Sequence, residues 1–189
     1  MSKKDLIEQY VSRKIYLLNN PETGFSGALL ASLRHGVGKV PGEDPALWGL
    51  FLEDAPDGLY GEANFSGEPT KEEWAVYIAL TLFAVHSQGS SATAQCDGVS
   101  IGKAAARLMK ENTDGERDRV LRRFAPVVTA DDMTGLAYYL RTLIQLMKSE
   151  GISLDYAKLA GDLYDFQFDN SRKNVRLRWG RDFYEVNKK

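Results

Sequence analysis

Residues Leu33-Arg34-His35-Gly36-Val37-Gly38-Lys39-Val40 crowd two glycines and a lysine beside an arginine and a histidine. These are residue types that cradle phosphate. A phosphate-binding loop that drives nucleotide hydrolysis needs Gly-x-x-x-x-Gly-Lys followed by Ser or Thr, set between a strand and a helix; the hydroxyl holds magnesium. Here Val40 follows Lys39, Leu33 stands five residues before Gly38, and the preceding pattern is helical. The loop is not built for nucleotide hydrolysis. His35, His86 and Cys96 are the soft ligands of the chain, and no pair has zinc spacing. His86 follows the apolar run Leu82-Phe83-Ala84-Val85, which suits a packed or capping histidine better than a catalytic base. Cys96 lies in a small, polar stretch with no activating base beside it. The acidic pairs Glu72-Glu73 and Asp131-Asp132 fall in first helical turns, where they complement the helix dipole. No nucleophile, metal site or acid–base pair emerges. The chain reads as a non-enzyme without metal or cofactor.

What remains is a set of cations. Arg119, Arg122 and Arg123 lie at i, i+3 and i+4 of one helical pattern, so their side chains are neighbours. Two readings stand at this point. They pair with Glu116 or Asp118, or are merely solvated, as surface charges commonly are. Or they clamp phosphate, for which the planar guanidinium fork is suited. Lys103 and Arg107 are one turn apart on the preceding pattern, and Arg141 and Lys148 two turns apart on the following one. Arg34 and Lys39 bracket the opening loop. Side-by-side packing of these helices would align the cations into a stripe that holds a polyanionic backbone without reading its sequence. Tyr138 and Tyr139 are candidates for an aromatic platform under single-stranded bases, although core packing is the commoner use of aromatics.

The elements that would position these groups are almost all helical. Apolar periodicity predicts helices over about 2–19, 25–35 and 46–52, the last opened by the Asp44-Pro45 cap. Residues 54–69 read as a loop. Thr70-Lys71-Glu72-Glu73 is a capping box that opens a strongly apolar, central helix over about 71–87. The small, polar stretch 89–98 is the expected flexible junction between two parts, 1–95 and 96–189. Five further patterns follow: 101–111 capped by Ser100, 115–128 capped by Asp114, 131–149 opened by Thr129 to Asp132 and stopped by Gly151, 154–167 capped by Ser153, and 171–186 capped by Asn170. The expected class is all-α, about nine helices, with an N-terminal helical part and a C-terminal helical bundle.

The bulk numbers fit. The chain has 189 residues, a single cysteine, and a net charge of −2. That predicts no internal disulfide and a cytoplasmic setting; neither a signal peptide nor a bilayer-spanning run is read from the sequence. The charge is uneven. Residues 43–73 carry nine acidic groups against Lys71, 103–148 nine basic against six acidic, and 169–189 seven basic against three acidic.

Taken in order, ALLASLRHGVGKVPGEDPALW, ALTLFAVHSQ, GVSIGKAAARL, Arg122-Arg123-Phe124 and VRLRWGRDFYEV resemble the CasB family, the small subunit of the type I-E CRISPR surveillance complex Cascade. The resemblance runs nearly end to end and rests on order and spacing rather than on a catalytic signature. It implies an all-α, non-catalytic protein, two copies of which stack head to tail inside Cascade. It implies partners: the large subunit and the backbone subunits, the guide RNA–DNA hybrid and the displaced DNA strand. No membrane is among them. The implied role is to bind nucleic-acid backbone non-specifically and stabilise the R-loop. The family's basic positions match Arg34, Lys39, Lys103, Arg122, Arg123 and Arg141; Arg107, Arg119 and Lys148 are added by helical geometry. The alternative is a purely structural helical adaptor whose basic residues contact other subunits.

Overall fold

A computed structural model of the chain describes residues 1–20, 27–60, 67–89, 93–111 and 113–185. Among them the helices run in chain order as α1 (Lys3–Asn19), α2 (Gly27–Gly36), α3 (Trp48–Leu52, entered through a tight turn over Pro45–Leu47), α4 (Lys71–Ser87), α5 (Ile101–Ala106), α6 (Asp114–Thr129), α7 (Met133–Ser149), α8 (Tyr156–Phe166) and α9 (Asp169–Glu185). No strand occurs among the described residues. The fold is all-α.

α4 organises the core. It is apolar on every side, which only a helix enclosed by others tolerates, and every residue from Ala75 to His86 is buried. Its start is fixed by the capping box: the Thr70 hydroxyl accepts from the Glu73 amide, and the Glu73 carboxylate from the Thr70 amide. α1, α2, α7 and α8 pack around it. α1 packs against both α4 and α8, so one apolar core runs across residues 95 and 96.

Buried polar groups lock the periphery. Asp162 of α8 accepts from the Trp179 indole of α9 at 2.7 Å, from Arg178 at 2.5 Å and from Lys4 of α1 at 3.2 Å. Three helices thus share one carboxylate, which is 2 % exposed. A buried charge persists only when so satisfied.

The expected 89–98 junction falls partly on residues outside those described. The part that is described is anchored. Leu154 donates to the Ala94 carbonyl, Cys96 to that of Leu154 and Asp155 to that of Val99, all at 2.9–3.0 Å. The pairing is too short to leave an alternating pattern, so composition alone suggested a flexible tract. Several caps also shift. Thr113, not Asp114, caps α6, and Asp132 caps α7. Asp155 caps α8, because the Ser153 hydroxyl donates to the Thr93 carbonyl instead. α9 starts at Asp169, one residue before the expected Asn170 cap. α5 ends at Ala106 rather than 111, since Leu108 and Met109 close tighter bonds to Ala105 and Ala106.

Candidate nucleic-acid interface

α6 carries the arginine triad because its two faces are chemically distinct. Val120, Phe124 and Val127 are buried, and Phe124 stacks on Phe183 of α9 with centroids 5.3 Å apart. That anchorage turns Arg119, Arg122 and Arg123 outward, and all three are exposed. The connection to α7 is only Ala130–Asp132, so the two helices form an antiparallel hairpin. Pro126 lies inside α6 just after the triad. It removes the amide that would bond the Arg122 carbonyl.

Arg119 and Arg123 face α7 across a shallow cleft of about 80 Å³, walled also by Leu108, Val120, Leu146 and Glu150. The Arg119 guanidinium is 3.7 Å from Glu116, and its side chain is 59 % exposed, so the pair is weak. Glu116 is independently engaged by the Glu111 amide at 2.8 Å. Among the described residues neither Arg122 nor Arg123 belongs to an ion pair. Lys110 and Glu150 bridge at 2.8 Å at the rim, and that hydrogen bond raises the Lys110 pKa above its ordinary value. Lys110 was not singled out in the sequence; it lies beyond the end of α5, and the fold carries it to Glu150 of the cleft wall.

The other predicted cations are distributed unequally. Arg107 is exposed at the end of α5, one residue before Leu108 of the cleft wall. Lys103 is half-buried on α5, and Arg141 half-buried on the exposed side of α7. Lys148 points into the fold: its ammonium donates to the Val85 carbonyl at the end of α4, 3.2 Å away. Beside it His86 is buried, with Nδ1 2.8 Å from the Tyr156 hydroxyl. Burial, and then the Lys148 charge, push His86 down to about 4. Burial raises Tyr156. His86 is a packed histidine.

Arg34 and Lys39 sit on a different element. Gly36 ends α2, and the Tyr77 hydroxyl of α4 donates to its carbonyl at 3.0 Å. The contact is so close that a Cβ on Gly36 would lie 2.6 Å from that hydroxyl. Gly38 then turns the chain at φ +86°. The loop is a helix stop docked on α4, with Arg34 half-buried and Lys39 exposed. Neither lines the α6–α7 cleft. The structure therefore brings Arg119 and Arg123 to one cleft, with Arg122 on the next face of α6 and Arg107 next in sequence to the wall residue Leu108. It does not join all nine residues into that cleft.

A model of the CRISPR-associated protein Cse2 matches residues 29–184. The chain belongs to the Cse2 family. Cse2 is the same family as CasB, the small subunit of type I-E Cascade. The crystal structure of CasB from Thermobifida fusca is 33 % identical, with a TM-score of 0.73 over 96 % of this chain and 97 % of that one. CasB from M. ruber is 26 % identical, with a TM-score of 0.66 over 96 % and 94 %. CasB from Thermus thermophilus, at 21 % identity, shares the fold, with a TM-score of 0.67 over 98 % and 99 %. No curated protein sequence matches the chain. Cse2 membership makes the chain a CRISPR-associated Cascade subunit. No helix among the described residues is long and apolar enough to cross a membrane.

Proposed function

We propose that this Cse2 chain is a non-catalytic, cytoplasmic subunit that holds nucleic-acid backbone and thereby stabilises the R-loop. The observation that carries the reading is the pair Arg122 and Arg123. Both are exposed on a rigid helix, both lack an acidic partner among the described residues, and Arg119 stands beside them. Like charges held together in this way repel unless an anion lies over them. Guide pairing reads the sequence, so the protein has only to hold phosphates. R-loop formation is nearly balanced in free energy, and a few phosphate contacts tip it. The same reading gives the chain the large and backbone Cascade subunits as protein partners, a second copy of itself, and the guide RNA–DNA hybrid and displaced strand as its nucleic acids.

A second reading, a helical adaptor whose cations meet only protein, is favoured by Lys148, which is committed to the Val85 carbonyl, and by the Arg119–Glu116 pair. The two readings separate in the assembled complex. The lifetime of a preformed R-loop is measured with wild-type chain and with Arg122→Ala/Arg123→Ala, after incorporation of each is verified. The backbone-holding reading predicts a shorter lifetime for the incorporated variant. An unchanged lifetime supports the adaptor.

A further inference from the structure

We infer that Tyr138 and Tyr139 form a base-stacking platform, so that the strand held beside the α6 arginines is single-stranded and is gripped by its bases as well as by its phosphates. This inference rests on the reading of the α6 face as a nucleic-acid surface. The inner stripe of α7 is filled by Leu136, Ala137, Leu140, Leu143, Ile144 and Met147. Tyr138 and Tyr139 fall outside it and are 65 % and 38 % exposed. Their rings meet edge to face, with centroids 5.8 Å apart and planes at 71°. That contact holds the two rings against each other on a rigid helix while both remain open to solvent. Neither hydroxyl has a hydrogen-bond partner among the described residues, so no polar bond explains their position.

One cation adjoins the pair, and others stand further along the hairpin. Arg141 is three residues from Tyr138, and so adjacent on the helix surface. On the other flank, Leu146 marks the side of α7 that faces α6, because it shares the cleft with Arg119 and Arg123. Tyr139 is seven residues, about two turns, back along that side. In an antiparallel hairpin this sets it about 10 Å from the arginine cleft, toward the end of α6 and on the same side of α7, a span that two nucleotides of an extended strand cover. Flat aromatic faces in line with guanidinium groups are the arrangement that binds unpaired strands: cations follow the backbone and bases lie on the rings. In a duplex the base faces are occupied by stacking and cannot reach the tyrosines.

The test compares two labelled strands of equal length, oligothymidylate and the same backbone made abasic, each about 16 nucleotides, by fluorescence anisotropy with the full chain. One stacked base is worth about 5- to 150-fold in affinity. Wild type therefore binds oligothymidylate tighter than the abasic strand by at least that lower factor. Tyr138→Ala/Tyr139→Ala removes the difference and leaves abasic binding unchanged, whereas Tyr138→Phe/Tyr139→Phe keeps it, since the ring face and not the hydroxyl does the binding. Unchanged thermal unfolding of these surface variants verifies the fold. Arg122→Ala/Arg123→Ala weakens both strands by a similar factor. Equal binding of the two strands by wild type overturns the platform while leaving the phosphate contacts standing. A difference that survives the alanine pair also overturns it. Failure of wild type to bind either strand overturns both readings.

Discussion

Arg122, Arg123 and Lys148 carry the same charge and meet different neighbours. Arg122 and Arg123 were legible as neighbours from spacing alone, and their exposure follows from Val120, Phe124 and Val127 taking the inner face. Lys148 was not legible. Its spacing from Arg141 suggested a shared stripe, but the end of α4 offers it the Val85 carbonyl. Next to that contact, His86 supplies a residue-scale prediction. Its folded pKa is depressed to about 4 from 6.5, by burial first and by Lys148 second. The unfolded chain therefore takes up a proton below about pH 6.5 that the folded chain refuses until about pH 4, and stability falls as pH drops through that window. The contribution is about 2 kcal/mol between pH 7 and pH 5. Denaturant midpoints at the two pH values measure it, and His86→Gln shrinks the difference by that amount.

At the scale of elements, period and caps located each helix among the described residues, because apolar stripes and capping side chains act within a turn or two. The Thr70 box and the Gly151 stop stand where the sequence places them. Errors arose where a cap competes with a distant partner. Ser153 gives up the α8 cap because the Thr93 carbonyl is in reach, and Asp155 takes it while also accepting from the Gly98 amide at 2.7 Å. The reach of those groups depends on the tertiary fold and leaves no local trace. The pairing of α5 with α9 was equally hidden. Gly102 lets the helices approach so closely that an added Cβ would collide with the Trp179 carbonyl of α9. Backbone cannot yield as a side-chain tip does, so Gly102→Ala destabilises the chain by about 1–3 kcal/mol or more. Thermal unfolding measures this. The same change at Gly115, where nothing lies within 4 Å of an added Cβ, serves as the control.

For the whole molecule, a net charge of −2 conceals an uneven distribution of charge along the chain. Among the described residues Glu43, Asp44, Glu53, Asp54 and Asp57 flank α3, and Glu72 and Glu73 stand in the first turn of α4, while Arg119, Arg122 and Arg123 lie on α6, which packs on α7. A single core links the first described helix to the last. Salt dependence tests most directly whether the exposed α6 arginines hold nucleic-acid backbone, as proposed. Each phosphate contact contributes a slope of about −0.7 to −0.9 in log affinity against log salt. Fluorescence anisotropy with a labelled single strand, across a salt series, gives that slope. Wild type is expected to show a steep negative slope that Arg122→Ala/Arg123→Ala makes shallower by about 1.4, two contacts at the single-strand value. A slope that is flat in wild type, or identical in the variant, contradicts the account.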